Sequence, residues 1–229
     1  MKQVKIGVAI PCYCGHVSKL YNLLNSINSQ TIVPDKVVVS SSSTDKIEIT
    51  DSYNFPLHII TTPDKKSAAQ NRNIAINNLT DIDYVTFIDA DDIMHPQRIE
   101  ALLYTIYKYD VDIILHNYQI EPYNENKYNI FKYIDIENIN VRTDSLVQSW
   151  SGCITHISKY SDVIDKIHHS QATVKIWVLN EVKFPEETEF NRKEDSVFCH
   201  RVFSLPNIKH AYIQNELSYY NPSNTGGIS

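Results

Sequence analysis

From Val4 to Leu115 the apolar positions switch repeatedly between a period of two and a period of about 3.6, the signatures of strand and helix. Val4, Ile6, Val8 and Ile10 alternate with small or polar residues as far as Pro11, which predicts a strand running into a loop. Leu20, Leu23, Leu24 and Ile27 follow at helical spacing, and that helix is expected to stop near Gln30, Thr31 and Pro34. Val37 to Val39 reads as a short apolar strand, Leu57 to Thr61 as another, Ser67 to Leu79 as a second helix, and Tyr84 to Ile88 as a strand ending at Asp89. Pro96 opens a helix carrying Ile99, Leu102, Leu103 and Ile106, and Val111 to Leu115 is a further strand. Strands alternating with amphipathic helices predict an α/β fold, its mostly parallel sheet covered on both faces.

The pattern weakens after about residue 120. Glu121 to Asn140 is polar and rich in Tyr and Asn, and it reads as a long surface excursion of the kind that often carries function. Periodicity returns from Val174 to Val182, an apolar stretch runs from Ile208 to Ile213, and Asn221 to Ser229 supplies turn residues. No repeat or low-complexity linker interrupts the 229 residues, so a single domain is expected. Residues 1–119 would bind and residues 120–229 would add specificity.

Hydrophobic residues make up 42% of the chain and charged residues 21%, ordinary globular usage that argues against disorder. With 21 Lys and Arg against 27 Asp and Glu, the net charge is -6, and no basic run occurs, which argues against duplex nucleic acid as a partner. The cysteines, Cys12, Cys14, Cys153 and Cys199, are too sparse for a disulfide framework. Neither they nor the nine histidines show zinc-ligand spacing. The apolar stretch from Ile6 ends at Pro11, short of a secretory core, and no apolar run reaches about 18 residues. A soluble, cytoplasmic protein without signal peptide is the expectation.

The densest chemistry lies in FIDADD, Phe87 to Asp92, where an apolar strand delivers Asp89, Asp91 and Asp92 at its carboxyl end. In open α/β sheets that edge is where ligands bind. Carboxylates this close raise one another's pKa or recruit a cation, and oxygen ligands suit Mg2+ or Mn2+ bridging to phosphates. Asp91 and Asp92 equally suit the positive N-terminus of the helix near Pro96. Glu194 and Asp195 precede Val197, Phe198, Arg201 and Val202, which read as a helix. The acidic pair either favours that helix start or supplies a general base, worth about 10²- to 10⁴-fold in rate. Arg72, between Asn71 and Asn73, makes a polar strip on the second helix that a solvated face would also explain. Pro11 and Tyr13, with the run Ser40 to Asp45, fall on the same sheet edge as the aspartates, so three loops would enclose one pocket. Trp150, Trp177 and the many tyrosines suit either sugar stacking or core packing.

Together these motifs resemble glycosyltransferase family 2 of the GT-A fold, over Val8 to Val202. IPCY resembles the family's strand with Pro-x-Tyr, SQT at Ser29 to Thr31 its Gln-Thr helix end, and VVVSSSSTD its VVDDGSTD loop. NRN at 71–73 resembles its Ala-Arg-Asn helix, FIDADD its metal motif, and FPEETEFNRKED its Phe-Pro segment leading to Glu-Asp. The resemblance implies a GT-A fold and an inverting, metal-dependent transfer of sugar from a nucleoside-diphosphate donor to a hydroxyl of a saccharide or other acceptor. A UDP-sugar leads among the implied donors, with dTDP- and GDP-sugars as alternatives. By the same resemblance, Pro11, Tyr13, Ser41, Asp45, Arg72, Asp89 and Ala90 would contact the nucleotide sugar, Asp89 and Asp91 would ligate Mn2+ or Mg2+, and Asp195 would be the general base. Two departures stand out. The family's acidic pair falls on Ser40 and Ser41 and its glycine on Ser42, which removes a carboxylate acceptor for the base. Asn71 and Ala75 stand where the family often has Ala and Gly. A non-catalytic nucleotide-sugar or glycan-binding module is the rival reading. A nucleotidyltransferase fits less well, because no Gly-rich phosphate loop follows the first strand.

Overall fold

In the computed structural model, residues 3–120, 132–143 and 167–221 are described in full, and between them the backbone of three short strands at 146–148, 154–157 and 164–165. Strands β1 (Ile6–Tyr13), β2 (Lys36–Ser42), β3 (Leu57–Thr62) and β4 (Tyr84–Phe87) pair in parallel in the order β3-β2-β1-β4. Helix α1 (Val17–Asn28) joins β1 to β2, α2 (Ala68–Asn77) joins β3 to β4, and α3 (Arg98–Tyr109) leads into β6 (Ile113–Gln119). Short β5 (Ile93–Met94) lies between β4 and α3.

Beyond β4 short antiparallel pairings join the sheet, while its longer pairings stay parallel as the α/β expectation had them. Strand β7 (Val141–Arg142) follows β6 in the chain, and β8 (Leu146–Gln148), β9 (Ile154–Ile157) and β10 (Ile164–Asp165) form a separate antiparallel sheet. Strand β11 (Thr173–Lys175) inserts antiparallel between β4 and β6, and β12 (His210–Tyr219) runs parallel to β6 and antiparallel to β5 and β7. The second half of the chain therefore completes the sheet begun by the first. Helix α4 (Ile176–Glu181) follows β11 directly, so the Val174–Val182 periodicity belongs to a strand and a helix in succession.

Period-two alternation decides the layers. Val8, Ile10, Val37 and Val39 face α1 and α3, while Ala9, Val38, Val85 and Phe87 face α2, α4 and α5 (Glu194–Phe203). Gly7 allows the close pass of the segment after α2, since a Cβ there would meet Leu79 Cδ2 at 2.8 Å. Helix α2 is opened by a capping box in which the Ser67 hydroxyl accepts from Gln70 N–H and the Gln70 side chain accepts from Ser67 N–H.

Three further expectations change. Strand β1 continues through Pro11 because it pairs with β4 only as far as Ala9; beyond that point one side of the strand needs no donor. Ser40 to Ser42 belong to β2, paired to Pro11–Tyr13 on one side and Ile60–Thr62 on the other, and all three serines are buried. Within the excursion read from Glu121 to Asn140, residues 121–131 lie outside the described residues. The remainder packs back onto the body: Ile134 and Ile139 are buried, and Gln97 exchanges two hydrogen bonds with the Ile134 backbone at 2.7 and 2.9 Å. Trp150, Cys153 and the His156 side chain are outside the described residues.

One polar network crosses the sheet. Arg98 is fully buried, and its guanidinium donates to Thr86 Oγ1, to the Phe87 carbonyl and to both oxygens of Gln171 at 2.8–3.1 Å. Gln171 Nε2 donates to Asp92 Oδ2 at 2.6 Å, and the Asn221 backbone N–H donates to Asp92 Oδ1 at 3.1 Å. Burial pushes Arg98 down to about 9, opposed by the Asp92 charge. Replacing the guanidinium leaves the buried oxygens of Phe87 and Gln171 without their donor, so Arg98→Met should cost about 3 kcal/mol or more in urea unfolding. A loss below about 1 kcal/mol would show that those oxygens do not need it.

Candidate functional site

The carboxyl ends of β1 and β4, the start of α2, the residues before β11, the start of α5 and the residues after β12 meet around one cavity of about 390 Å3. Its wall includes Pro11, Tyr13, Arg72, Asp89, Asp91 and Asp195, six of the nine site residues expected from sequence. The other three are placed elsewhere. Ser41 is buried, its hydroxyl hydrogen-bonded to Thr44 Oγ1 at 2.9 Å; Asp45 is exposed; and Ala90 is buried in the core.

Arg72 organises the centre. Its Nη2 donates to Asp89 Oδ1 at 2.7 Å and its Nη1 to Glu194 Oε1 at 2.8 Å, while its guanidinium lies 5.3 Å from the centroid of the Phe184 ring. Burial alone would lower the Arg72 pKa, but Asp89 and Glu194 outweigh it and hold the group charged. Phe184 is itself fixed by stacking on Phe198 at 4.0 Å and meeting Phe87 edge-on at 5.0 Å. The polar strip Asn71, Arg72 and Asn73 is thus buried rather than solvated. Asn71 Nδ2 donates to the Cys12 carbonyl and to Ser42 Oγ, and its Oδ1 accepts from Ser40 Oγ, all at 3.0 Å. Asn73 ties to the Phe184 backbone in both directions and to Glu186.

The aspartates of FIDADD divide their work. A turn closed by Asp92 N–H donating to the Asp89 carbonyl at 3.1 Å sends Asp89 to Arg72, Asp91 to the cavity and Asp92 inward. Asp91 Oδ2 lies 3.5 Å from His16 Nε2 and 3.7 Å from Lys19 Nζ. Burial pushes the Asp91 carboxyl up, His16 pulls it down, and Asp89 adds to the rise. The ring of His16 packs on that of Tyr13, with centroids 4.3 Å apart. Gly15 makes room, since a Cβ there would fall 2.5 Å from the Tyr13 ring.

Asp195 sits in the first turn of α5, where Oδ1 accepts from its neighbour Ser196 N–H at 2.7 Å and Oδ2 takes no partner among the described residues. Burial raises its pKa, Arg72 lowers it, and Glu194 raises it again. A carboxylate with one oxygen turned to no protein donor, and with a pKa above the ordinary range, is equipped to take a proton. The pair therefore differs: both carboxylates line the cavity, Glu194 Oε1 is bonded to Arg72, and Asp195 forms no ion pair among the described residues.

Asp89 and Asp91 on one wall fit a divalent cation that keeps some waters and takes its remaining oxygens from a phosphate. No group of three or more His, Cys, Asp or Glu placed to hold a metal occurs among the described residues, so these two carboxylates would supply only part of a coordination shell. His16, His168, Ser170 and Tyr220 also line the cavity and were not among the expected site residues. Tyr220 had no local signal: the apolar stretch from Ile208 to Ile213 became part of β12, and the parallel pairing of β12 with β6 brings its end to this edge.

The glycosyl transferase family 2 model matches residues 7–162. "Glycosyltransferase GlyG" of Streptococcus pneumoniae is 25% identical over 221 residues, covering 94% of this chain and 70% of that protein. An uncharacterized glycosyltransferase of Haemophilus influenzae is 25% identical over 146 residues, covering 62% of this chain and 48% of that one. The crystal structure of S. aureus TarS 1-349 in complex with UDP superposes with a TM-score of 0.65 at 17% identity, over 95% of this chain and 60% of that one. The architecture is the GT-A fold. The chain spans about half the length of the H. influenzae relative and 60% of TarS 1-349. No helix among the described residues is long and apolar enough to cross a membrane.

Removing the Arg72 charge leaves buried Glu194 and half-buried Asp89 without their shared cation. Arg72→Met should cost about 3–5 kcal/mol in stability and speed amide exchange at the start of α5. Unchanged exchange at residues 193–197 would show that Arg72 does not hold that turn.

Proposed function

Because the chain belongs to glycosyl transferase family 2, we propose that it is an inverting glycosyltransferase moving a sugar from a nucleoside-diphosphate sugar to a hydroxyl acceptor. The observation that carries this reading is the convergence of Asp89, Asp91 and Asp195 on one cavity walled by Pro11 and Tyr13. Residues 1–119 would hold the donor and residues 120–229, which contribute Asp195 and Tyr220, would shape the acceptor side. UDP-sugars are the first donors to test, in line with the UDP bound by TarS.

Asp89 and Asp91 would hold Mn2+ or Mg2+, which supplies Lewis-acid neutralisation of charge on the departing diphosphate. The cavity's own charge favours that assignment. Four carboxylates, those of Asp89, Asp91, Glu194 and Asp195, line it against Arg72, Lys66 and Arg192, and the Arg72 charge is already matched by two of them. A diphosphate entering such a wall needs added positive charge. Pro11 and Tyr13 would pack against the base. Ser40 to Ser42 offer no carboxylate, and their hydroxyls are bound within the protein, so base contact falls to the cavity wall around Tyr13, Lys66 and Asn71.

The chain's catalytic step is a proton transfer. Asp195 Oδ2 would accept the hydroxyl proton as the acceptor oxygen bonds to the anomeric carbon, on the face opposite the leaving diphosphate. The anomeric C–O bond breaks with its electron pair leaving on the nucleoside diphosphate. A catalytic carboxylate favours an enzyme over a binding module, since binding alone needs no base.

Asp195→Asn should lower kcat by about 10²- to 10⁴-fold with little change in donor KM, whereas Asp91→Ala should abolish the metal-dependent part of donor binding. Turnover that survives both changes at saturating donor would overturn these roles. The base works deprotonated, so activity should fall as pH drops through a pKa above the usual carboxylate value. Arg72 lowers that pKa, so Arg72→Met should move the acid limb of the kcat profile upward; a downward move would refute the placement.

A further inference from the structure

Asp91, one of the two carboxylates read as holding a metal, already has an organic cation beside it. Lys19 Nζ lies 3.7 Å from Asp91 Oδ2, and His16 Nε2 lies 3.5 Å from the same oxygen. Burial lowers the His16 pKa, so near neutral pH the standing positive charge at Asp91 is the Lys19 ammonium. Lys19 is the third residue of α1, whose first turn holds no acidic residue, so its charge sits against the positive end of the helix dipole. Nothing in α1 itself favours a cation there, and among the described residues Asp91 is its one ion-pair partner. The two ends of the pair are unlike: the Asp91 side chain is 10% exposed and the Lys19 side chain 37%. Withdrawing the ammonium returns it to water at small cost, on a flexible four-carbon stem, and leaves a covered carboxylate that needs another cation. A divalent ion arriving at Asp91 with Lys19 still in place would meet a like charge at close range.

We propose that Lys19 is a built-in competitor for the divalent cation, holding Asp91 in the free protein and giving it up when a nucleoside diphosphate offers its phosphates to both cations. The free protein then binds metal weakly and the nucleotide-bound protein tightly, and metal and nucleotide strengthen each other's binding by one shared factor. Lys19 touches no reacting atom in this role; it sets the affinity of the neighbouring carboxylate for metal and delays metal entry until the nucleotide is present. The role rests on the reading of Asp91 as a metal ligand.

Titration with Mn2+, free Mn2+ being read by electron paramagnetic resonance, first without nucleotide and then with saturating UDP, tests this without turnover. In the absence of UDP, Lys19→Met should bind Mn2+ about fivefold more tightly than the unmodified protein, the scale of one well-placed ion pair. The strengthening of Mn2+ binding by UDP should shrink by about the same factor. Lys19→Arg keeps the charge and should behave as the unmodified protein, which separates the loss of charge from a disturbance of α1. In an Asp91→Ala background, Lys19→Met should change the Mn2+ affinity by less than about twofold, because the pair is already broken. Equal affinity, or equally undetectable binding, in the unmodified and Lys19→Met proteins without UDP would overturn the competitor, as would weaker binding in Lys19→Met. If Asp91→Ala then still lost the Mn2+ bound with UDP, the metal reading would stand. Mn2+ binding that Asp91→Ala leaves unchanged, with and without UDP, would overturn the metal reading itself and the role of Lys19 with it.

Discussion

The buried guanidinium of Arg72 is the constraint on which the site depends. It joins three pieces of chain distant in sequence: α2, the end of β4 through Asp89, and the start of α5 through Glu194. Burying a cation costs several kcal/mol, which is recovered only when the partners are charged, close and themselves well bonded. Here two carboxylates meet the two terminal nitrogens at 2.7 and 2.8 Å, and an aromatic ring supports the guanidinium. A lysine would present one point charge where the fork meets two acceptors in fixed directions. Asp195 follows Glu194 in the same helical turn, so the position of the available carboxylate is set by a side chain on another element.

The second buried arginine makes a different bargain. Arg98 faces carbonyl, hydroxyl and amide oxygens, and its counter-charge on Asp92 is reached through Gln171. Asp92 also anchors the residue after Tyr220, so this network joins the middle of the sheet to the last described residues. Three aspartates within four residues, Asp89, Asp91 and Asp92, thereby contribute to both arginine networks and to the open cavity. A one-residue shift in that turn would send the wrong carboxylate to each place, which explains why the turn is closed by its own hydrogen bond from Asp92 N–H to the Asp89 carbonyl.

The first half of the fold was legible because its elements obey one period each. Helices α1 and α3 bury the apolar stripes expected of them, Leu20 to Ile27 and Ile99 to Ile106. Strands β1 to β4 appear in the expected order. What was not legible depends on long-range pairing. Strand β11 is three residues long and antiparallel, and nothing in Thr173 to Lys175 distinguishes it from a helix start. Ser40 to Ser42 look like a loop by composition, yet pairing on both sides and hydrogen bonds to Asn71, Thr44 and Lys66 make them strand. The strip Asn71 to Asn73 looked solvated because its partners, at Cys12, Phe184, Glu186 and Glu194, lie up to 122 positions away. Polar residues on a buried helix face are uninformative until their partners are known.

The mixed topology also explains how the cavity acquires both charged and neutral lining. The parallel strands β1 and β4 deliver Pro11, Tyr13, Asp89 and Asp91 at their carboxyl ends, and α2 and α5 bring Arg72, Glu194 and Asp195 alongside. Because β12 is parallel to β6, its carboxyl end reaches the same edge and places Tyr220 and Asn221 opposite those charges. The antiparallel insertion of β11 turns the preceding segment back toward that edge, which positions His168 and Ser170. Had β12 run the other way, its Tyr220 end would lie at the far edge of the sheet, away from the cavity. Strand direction, set by pairing rather than by local sequence, thus decides that charged and aromatic residues from distant parts of the chain line one space.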